Sequence, residues 1–346
     1  MKKLPLRFGV VGCGYGAAVL VPAIRLDTRA QVVALAGTNF DKVTKIANDL
    51  SIPSFYNSWI MLLEQSSIDV LAVAVPPKLQ PLILNEAMKK GIAFLAEKPL
   101  STNLRDAQQL FSLSKSLDIA NVIDFNFSAL PAFIKAKKLL DAQSIGKIRH
   151  IVINWHVENY SNRNRLENWK ANSSIGGGTL FNFVAHCFQY IEWLLAEPII
   201  SLSARLWAIP GDKRPSDTTV ALQMDFGSQI AAIVCVSAAS PLGGGHEIVL
   251  YGENGHLRLS NTTTDYMRGF ELTIALRDQE YQVISLPTEP SGVDGRILPT
   301  GVLVTRLIDQ ILGGTHAYPN LLDGLRVQKL IEAAQNSNTR RQWVKV

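Results

Sequence analysis

Cysteine is scarce in this chain: three residues in 346, Cys13, Cys187 and Cys235, odd in number and widely separated. That usage excludes a disulfide framework and points to a reducing compartment, read here as cytoplasmic. None of the three has the spacing of a metal ligand, so no metal site is expected. Uninterrupted apolar runs of about 18 residues are also absent, which removes any candidate for a membrane-crossing helix. The start, Lys2-Lys3 and then apolar residues up to Cys13, has the outline of a lipoprotein leader. Arg7 cuts its apolar part to about five residues, short of the roughly 7–15 a leader needs, so the segment is expected to be a first strand. Only 18% of residues are charged against 47% hydrophobic, a composition that excludes disorder. The net charge of +5 is spread along the chain, with Lys135, Lys137 and Lys138 reading as one solvated helix face rather than a nucleic-acid surface. No internal repeat or low-complexity segment occurs.

Against these absences, residues 6 to about 124 alternate short apolar runs with helix-period segments, as a doubly wound parallel sheet requires. The expected strands are Arg7–Val11, Gln31–Ala36, Val70–Val75, Ala93–Ala96 and Asn121–Ile123. The expected helices are Phe40–Leu50, Leu79–Lys90 and Leu104–Leu117, the last capped by Ser101 or Thr102. After about residue 125 the texture changes to alternating polar and apolar positions. Strands are expected at His150–Val157, Thr219–Phe226, Gln229–Ser237, Glu247–Tyr251, His256–Ser260, Phe270–Leu276 and Tyr281–Leu286, joined as an antiparallel meander. Helices near Ala132–Leu140, Leu180–Leu195, Val302–Leu312 and Leu321–Gln335 would cover it. The division is therefore a doubly wound α/β domain over 1–124 and a second domain, a mainly antiparallel sheet with covering helices, over 125–346.

Three clusters could carry chemistry. The first strand breaks into Gly12-Cys13-Gly14-Tyr15-Gly16-Ala17, where Gly12 permits a tight turn, Gly14 leaves no side chain in a phosphate's way and Ala17 lets the helix approach the strand. The strand Ala93–Ala96 runs into Glu97-Lys98-Pro99, placing a lysine that can pass a proton at a strand's carboxyl end. Gly176-Gly177-Gly178-Thr179 leads into a helix bearing Asn182 and His186, spaced i, i+4 and so on one face. A surface turn, a strand corner and a core histidine are the bland readings of the same three.

Taken together, the G-x-G-x-x-A turn at Gly12–Ala17, Pro76-Pro77 after the third strand, Glu97-Lys98-Pro99, Phe125-Asn126 and the Gly176–His186 stretch resemble the Gfo/Idh/MocA oxidoreductase family over nearly the whole length. The resemblance implies a Rossmann domain followed by an α+β domain with a large open, mainly antiparallel sheet, and an NAD(P)-dependent enzyme that moves a hydride between nicotinamide and a hydroxyl or keto carbon of a sugar, nucleotide sugar, cyclitol or related polyol. It implies that Lys98 contacts the reacting oxygen, that His186 is an acid/base, and that Asn126 lies beside the nicotinamide. With these, Gly12, Gly14, Tyr15, Gly16, Ala17, Pro76, Gln80 and Glu97 form the expected cofactor set. Two departures stand out: Asn182 occupies the family's common aspartate position, and Gln80 stands where a histidine commonly follows the prolines. An amide accepts no proton, so Asn182 would orient substrate or His186.

At the adenosine end, Gly37-Thr38-Asn39 offers no carboxylate for a ribose, and Thr38, Asn39 and Lys42 could hold a 2′-phosphate; NADP is therefore preferred to NAD. The loop from Asn159 to Ser174 is rich in groups that bind hydroxyls, among them Arg163, Arg165, Trp169 and Lys170. Other readings stay open: a non-catalytic nicotinamide-binding sensor or assembly protein, an imine or enone reductase, or a transiently oxidising glycosidase. The alternating sheet with few covering helices suggests a homodimer or homotetramer.

Overall fold

Dense apolar runs suit strands covered on both faces, and they supply most of the first sheet. In the computed structural model, which describes residues 3–288 and 290–346, these are β1 (Leu6–Val11), β2 (Ala30–Ala36), β3 (Ser54–Tyr56), β4 (Val70–Val73), β5 (Ala93–Ala96) and β6 (Asn121–Ile123). Lys2 of the leader-like start lies outside the described residues. All pairs in this sheet are parallel, in the order β3-β2-β1-β4-β5-β6, and β4 and β5 are buried throughout. The order reverses between β1 and β4, the place where an open α/β sheet leaves a crevice beyond its strand ends.

The connecting helices are α1 (Val21–Ile24), α2 (Phe40–Asp49), α3 (Trp59–Gln65), α4 (Gln80–Lys89) and α5 (Leu104–Leu117). Strand β3 and helix α3 were not anticipated; β3 has three residues, all partly exposed, and so leaves no apolar signature. The cap of α5 is Asn103, whose side chain accepts the Asp106 N–H at 2.9 Å. Ser101, expected there, instead donates to the Asn103 carbonyl at 2.5 Å.

Contacts divide the chain into two units, Met1–Asn126 with Arg296–Leu325 and Phe127–Gly295 with Arg326–Val346. Residues 296–325, assigned from the sequence to the second domain, thus make their contacts within the first unit. Their helix, Ile297–Ile311, begins five residues before the expected Val302 and packs on α1, β5 and β6. Pro299 falls in its first turn, where a missing N–H costs nothing.

The second unit opens with α6 (Pro131–Asp141), β7 (Ile148–His156), α7 (Tyr160–Arg163) and α8 (Ala185–Leu195). Its further strands are β8 (Ile199–Trp207), β9 (Thr219–Phe226), β10 (Ala231–Ser237), β11 (Gly245–Gly252), β12 (Gly255–Asn261), β13 (Glu271–Leu276), β14 (Gln282–Val283) and β15 (Val344–Lys345). They form one nine-stranded sheet, β14-β13-β12-β11-β7-β10-β9-β8-β15. It is not a plain meander. β7, first in sequence, sits in the middle and pairs parallel with β10; the other pairs are antiparallel. The expected strand over 281–286 contracts to Gln282–Val283, while β8 was overlooked because its serines and arginine mask the alternation.

Alternation decides which face is covered. Ile151, Ile153 and Trp155 of β7 and Ala232, Val234 and Val236 of β10 are buried. Helices α6 and α8 pack together, and α6 lies on β12 and β13. The helix Leu321–Arg340 adds Ser337, whose hydroxyl accepts the Ala204 N–H at 2.9 Å. On the opposite face Ile233 and Trp207 stay exposed, at 56% and 50%.

The turn after β1 depends on one residue. Gly12 has φ +121°, and a Cβ there would fall 2.2 Å from the Ala74 carbonyl oxygen. Gly12→Ala is therefore expected to lower unfolding free energy by about 2–4 kcal/mol through backbone strain and overlap. Urea denaturation measures it; an unchanged midpoint would show that the turn tolerates a side chain.

Candidate active site

Beyond Gly12, the remaining glycines of the first turn have separate jobs. A Cβ on Gly16 would meet Val10 Cγ1 at 3.1 Å, so the close approach of helix to strand, expected at Ala17, is made by Gly16. Gly14 is exposed, and a Cβ there meets nothing within 4 Å. Open space over backbone at the start of a helical segment is what a phosphate requires. Helix formation begins here as a π turn over Gly16–Leu20 before continuing into α1.

Next to this turn the first unit collects Tyr15, Glu97, Lys98 and Asn126, all expected from the sequence, around a residue that was not. Asp124, 1% exposed, accepts the Tyr15 hydroxyl at 2.9 Å and the Thr300 hydroxyl at 3.1 Å. Asn126 Nδ2 donates to Tyr15 Oη at 3.3 Å and to Thr300 Oγ1 at 3.4 Å. Glu97 and Asp124 lie close enough for each to act on the other's protonation. Burial, followed by the Asp124 charge, pushes Glu97 well above the usual carboxylate range, and the Lys98 ammonium opposes this. Burial raises Asp124 as well, offset by Glu97, by the hydroxyl donors Tyr15 and Thr300, and by Lys98. A carboxylate at the end of a strand, two residues before the anticipated Asn126, was a readable signal for Asp124.

Gln80 has a different place from the one its alignment with a family histidine suggested. It is fully buried, and its Nε2 donates to the carbonyls of Glu97 at 2.6 Å, Pro99 at 3.2 Å and Leu100 at 3.4 Å. It therefore braces the backbone that carries Lys98. Pro76 lies past the end of β4, its carbonyl accepting the Leu79 N–H at 2.9 Å to open α4. At the end of β2, Thr38, Asn39 and Lys42 are exposed. The Asn39 side-chain oxygen caps α2 by accepting the Lys42 N–H at 2.9 Å.

In the second unit the triglycine is built against Asp217. Gly178 has φ +102°, and a Cβ on it would fall 2.3 Å from Asp217 Oδ1. Asp217 Oδ2 accepts the Leu180 N–H at 2.8 Å, and burial pushes this carboxyl up to about 6. Nothing local in the sequence marks a residue 37 positions downstream as the partner of this turn. The helix starts as a π turn, Leu180–Val184, and becomes α8 only at Ala185, so Asn182 and His186 straddle a change of helical pitch rather than sharing a regular α face. Asn182 Nδ2 donates to the Gly178 carbonyl at 2.8 Å. His186 is 5% exposed and lies edge-on to Phe127, ring centres 4.9 Å apart. Behind it, Trp155 and His246 stack at 4.2 Å, and burial pushes His246 down to about 3, leaving it a neutral acceptor or donor for the Tyr190 hydroxyl at 3.0 Å.

The polar loop is more tightly held than its composition suggested. Side-chain oxygens of Asn159, Asn168 and Asn172 cap short helical turns, accepting the N–H of Asn162, Lys170 and Ser174. Arg214, paired with Asp212, donates to the carbonyls of Ser161 at 3.0 Å and Leu166 at 3.4 Å. Arg163, Arg165 and Lys170 stay exposed, and Lys170 Nζ sits 5.9 Å from the Trp169 ring centre. Among the described residues no group of three or more metal-ligating side chains forms, and no helix is long and apolar enough to cross a membrane.

Comparison with known proteins agrees with this architecture. Residues 6–123 match the profile described as an oxidoreductase family with an NAD-binding Rossmann fold, and residues 133–258 match the GFO/IDH/MocA C-terminal domain. An uncharacterized oxidoreductase of Synechocystis sp. is 27% identical over 100% of this chain and 98% of its own. Levoglucosan dehydrogenase of Pseudarthrobacter phenanthrenivorans is 22% identical over 94% of this chain and 91% of its own. A solved levoglucosan dehydrogenase, in complex with NADH and levoglucosan, superimposes with a TM-score of 0.87 at 20% identity, covering 99% of each chain. A parallel sheet with its glycine turn, the mainly antiparallel second sheet and both profile matches lead to one conclusion: the chain belongs to the Gfo/Idh/MocA family of NAD-binding Rossmann-fold oxidoreductases.

Proposed function

We propose that the protein is a dehydrogenase moving a hydride between a nicotinamide dinucleotide and a carbon bearing a hydroxyl or keto group on a sugar, cyclitol or related polyol. The observation that carries this reading is Lys98 at the carboxyl end of β5, next to the buried Asp124 carboxyl whose partner Tyr15 belongs to the glycine turn. The residues fit a dinucleotide. Gly14 leaves space over the turn, and Asn126 Oδ1 is a buried acceptor without a protein partner. Gly12, Gly14, Tyr15, Gly16, Ala17, Pro76 and Asn126 would hold it, and when bound it supplies the hydride-exchanging ring.

Lys98 would hydrogen-bond the substrate oxygen and pass the proton that accompanies interconversion of alcohol and carbonyl. His186 is a second proton-handling group, and Asn182, which accepts no proton, orients substrate. Arg163, Arg165, Trp169 and Lys170 would bind hydroxyls from the loop. The name of the levoglucosan dehydrogenase supports the polyol class. With three free cysteines, a reducing cytoplasmic setting suits the chain. The exposed sheet face around Ile233 and Trp207 would join copies of the chain, so light scattering at micromolar concentration should give a dimer or tetramer; a monomer would count against that interface.

Lys98→Ala should cut turnover on any accepted polyol by about 10²–10⁴-fold while changing dinucleotide affinity by less than about threefold. Wild-type rates in that variant would overturn the assignment, and binding without turnover across a sugar panel would favour a sensor. Gly14→Ala should fold with unchanged stability yet lose at least about tenfold in dinucleotide affinity, read by fluorescence titration. Cofactor choice rests on exposed Thr38 and Lys42 with no carboxylate at 37–39, which favours NADP. Lys42→Ala should weaken NADP several-fold and leave NAD unaffected; equal effects on the two would remove the preference.

A further inference from the structure

The connection between β8 and β9, residues 208–218, takes no part in the chemistry proposed above, yet it hydrogen-bonds both stretches that carry the second unit's candidate residues. Its end is fixed by the sheet: the Thr218 N–H donates to the Trp207 carbonyl at 2.7 Å, and the Thr218 carbonyl accepts the Ala238 N–H at 2.9 Å. Ahead of that anchor, Arg214 and Asp217 each clasp a different turn. Between them the Pro215 carbonyl accepts the Ser173 N–H at 2.9 Å.

Arg214 holds the first turn. Its side chain is 9% exposed and is paired through Nε and Nη2 with Asp212, so Nη1 is directed at the carbonyls of Ser161 and Leu166. Because Asp212 neutralises the guanidinium, what Arg214 supplies to the loop is direction rather than charge. The Ser161 carbonyl also accepts the Leu166 N–H at 2.9 Å, which closes the turn 161–166 on itself. Inside it stand Arg163 and Arg165, the latter with φ +48°. A non-glycine residue in the left-handed region is strained and persists only where its surroundings over-determine it. Here Arg214 fixes the carbonyls on both sides.

Asp217 holds the second turn. Its Oδ2 accepts the Leu180 N–H at 2.8 Å and its main-chain carbonyl accepts the Thr179 N–H at 3.0 Å. The Thr179 side chain makes no capping bond, so the helical segment bearing Asn182 and His186 takes its cap from the far end of a loop. Asp217 Oδ1 lies over Gly178, whose positive φ and lack of a Cβ make room for it. Each clasp thus steadies a left-handed residue, and each lies next to a different pair of candidate groups.

We propose that the connection 208–218 is a brace with two separate duties: Arg214 positions the substrate-binding Arg163 and Arg165, and Asp217 positions Asn182 and the proton-handling His186. Substrate affinity and turnover then rest on different residues of one loop. Both act through the backbone of other residues and are positioning residues. The kinetic half of this division rests on the polyol-dehydrogenase reading above; the mechanical half does not.

Amide hydrogen exchange of the full chain, followed by mass spectrometry, reads the mechanical half. Arg214→Lys keeps a charge beside Asp212 but not the planar fork. It should speed exchange about tenfold in the 161–166 turn and leave residues 179–186 at the wild-type rate. Asp217→Ala should do the reverse, speeding exchange about tenfold at Thr179 and Leu180 as the loss of an ordinary hydrogen bond gives. Asp217→Asn keeps an oxygen for the Leu180 N–H and should restore wild-type protection.

Kinetics on a polyol that the native chain accepts, counted per dinucleotide-binding chain, read the other half. Arg214→Lys should raise KM about tenfold and change kcat less than about twofold. Asp217→Ala should lower kcat about 10–100-fold and change KM less than about threefold, with the rate recovered in Asp217→Asn. Exchange that rises in both segments in either variant, or KM and kcat that move together, overturns the division of duties. So does an Asp217→Asn chain with wild-type exchange at Leu180 and slow turnover. If Asp217→Ala does not fold, Arg214→Lys and Asp217→Asn still decide. A native chain without turnover on any polyol would sink the reading of the reaction, while the exchange pattern would still uphold or refute the brace.

Discussion

A carboxylate buried away from water has to be met by donors from the protein, and Asp124 is met from two stretches of chain far apart in sequence. Tyr15 comes from the turn after β1 and Thr300 from the returning helix Ile297–Ile311. Removing any one donor leaves a buried polar group under-satisfied, at a cost of about 1–3 kcal/mol. The requirement therefore ties the glycine turn and the returning helix to the end of β6 within the first unit. It also explains why residues 296–325 fold there, far along the chain from the sheet they complete.

The glycines divide according to what crowds them. Gly12 and Gly178 have positive φ and no room for a Cβ, the first because of the Ala74 carbonyl and the second because of Asp217. Gly14 has room and exposes its backbone instead. Sequence alone ranks the three alike as glycines in a turn. Their surroundings separate two that shape the chain from one that leaves space above it. A similar sorting applies to amides: the oxygens of Asn39, Asn159, Asn168 and Asn172 hold helix ends, and Gln80 braces the Glu97–Leu100 backbone, so most of the amides that looked like ligand-binding groups are structural.

How much was legible follows from the range of the interactions involved. Strands β1, β2, β4, β5 and β6 were readable because each is a dense apolar run, and the turn signals around 227 and 253 marked the hairpins of β9–β10 and β11–β12. β8 escaped because its pattern is broken by polar residues, and the central position of β7 escaped because strand order in a sheet leaves no local trace. The same holds at the candidate site. Lys98, Glu97, Tyr15 and Asn126 stood out as residues at strand ends and in a glycine turn. Asp217 and Arg214 did not, since each acts on residues about 37 to 53 positions away.

Sequence by itself determined the doubly wound first sheet and the mainly antiparallel second one, because apolar periodicity is a local property that survives without knowledge of the fold; the family came from the resemblance of its motifs in their order. Only the tertiary structure decided that residues 296–325 complete the first unit, that Gly16 rather than Ala17 makes the close approach, and that Asp124 is held by Tyr15 and Thr300. Those depend on which distant groups share a dry volume. Burial, unlike periodicity, is a property of the whole assembly of elements and is set only when they pack.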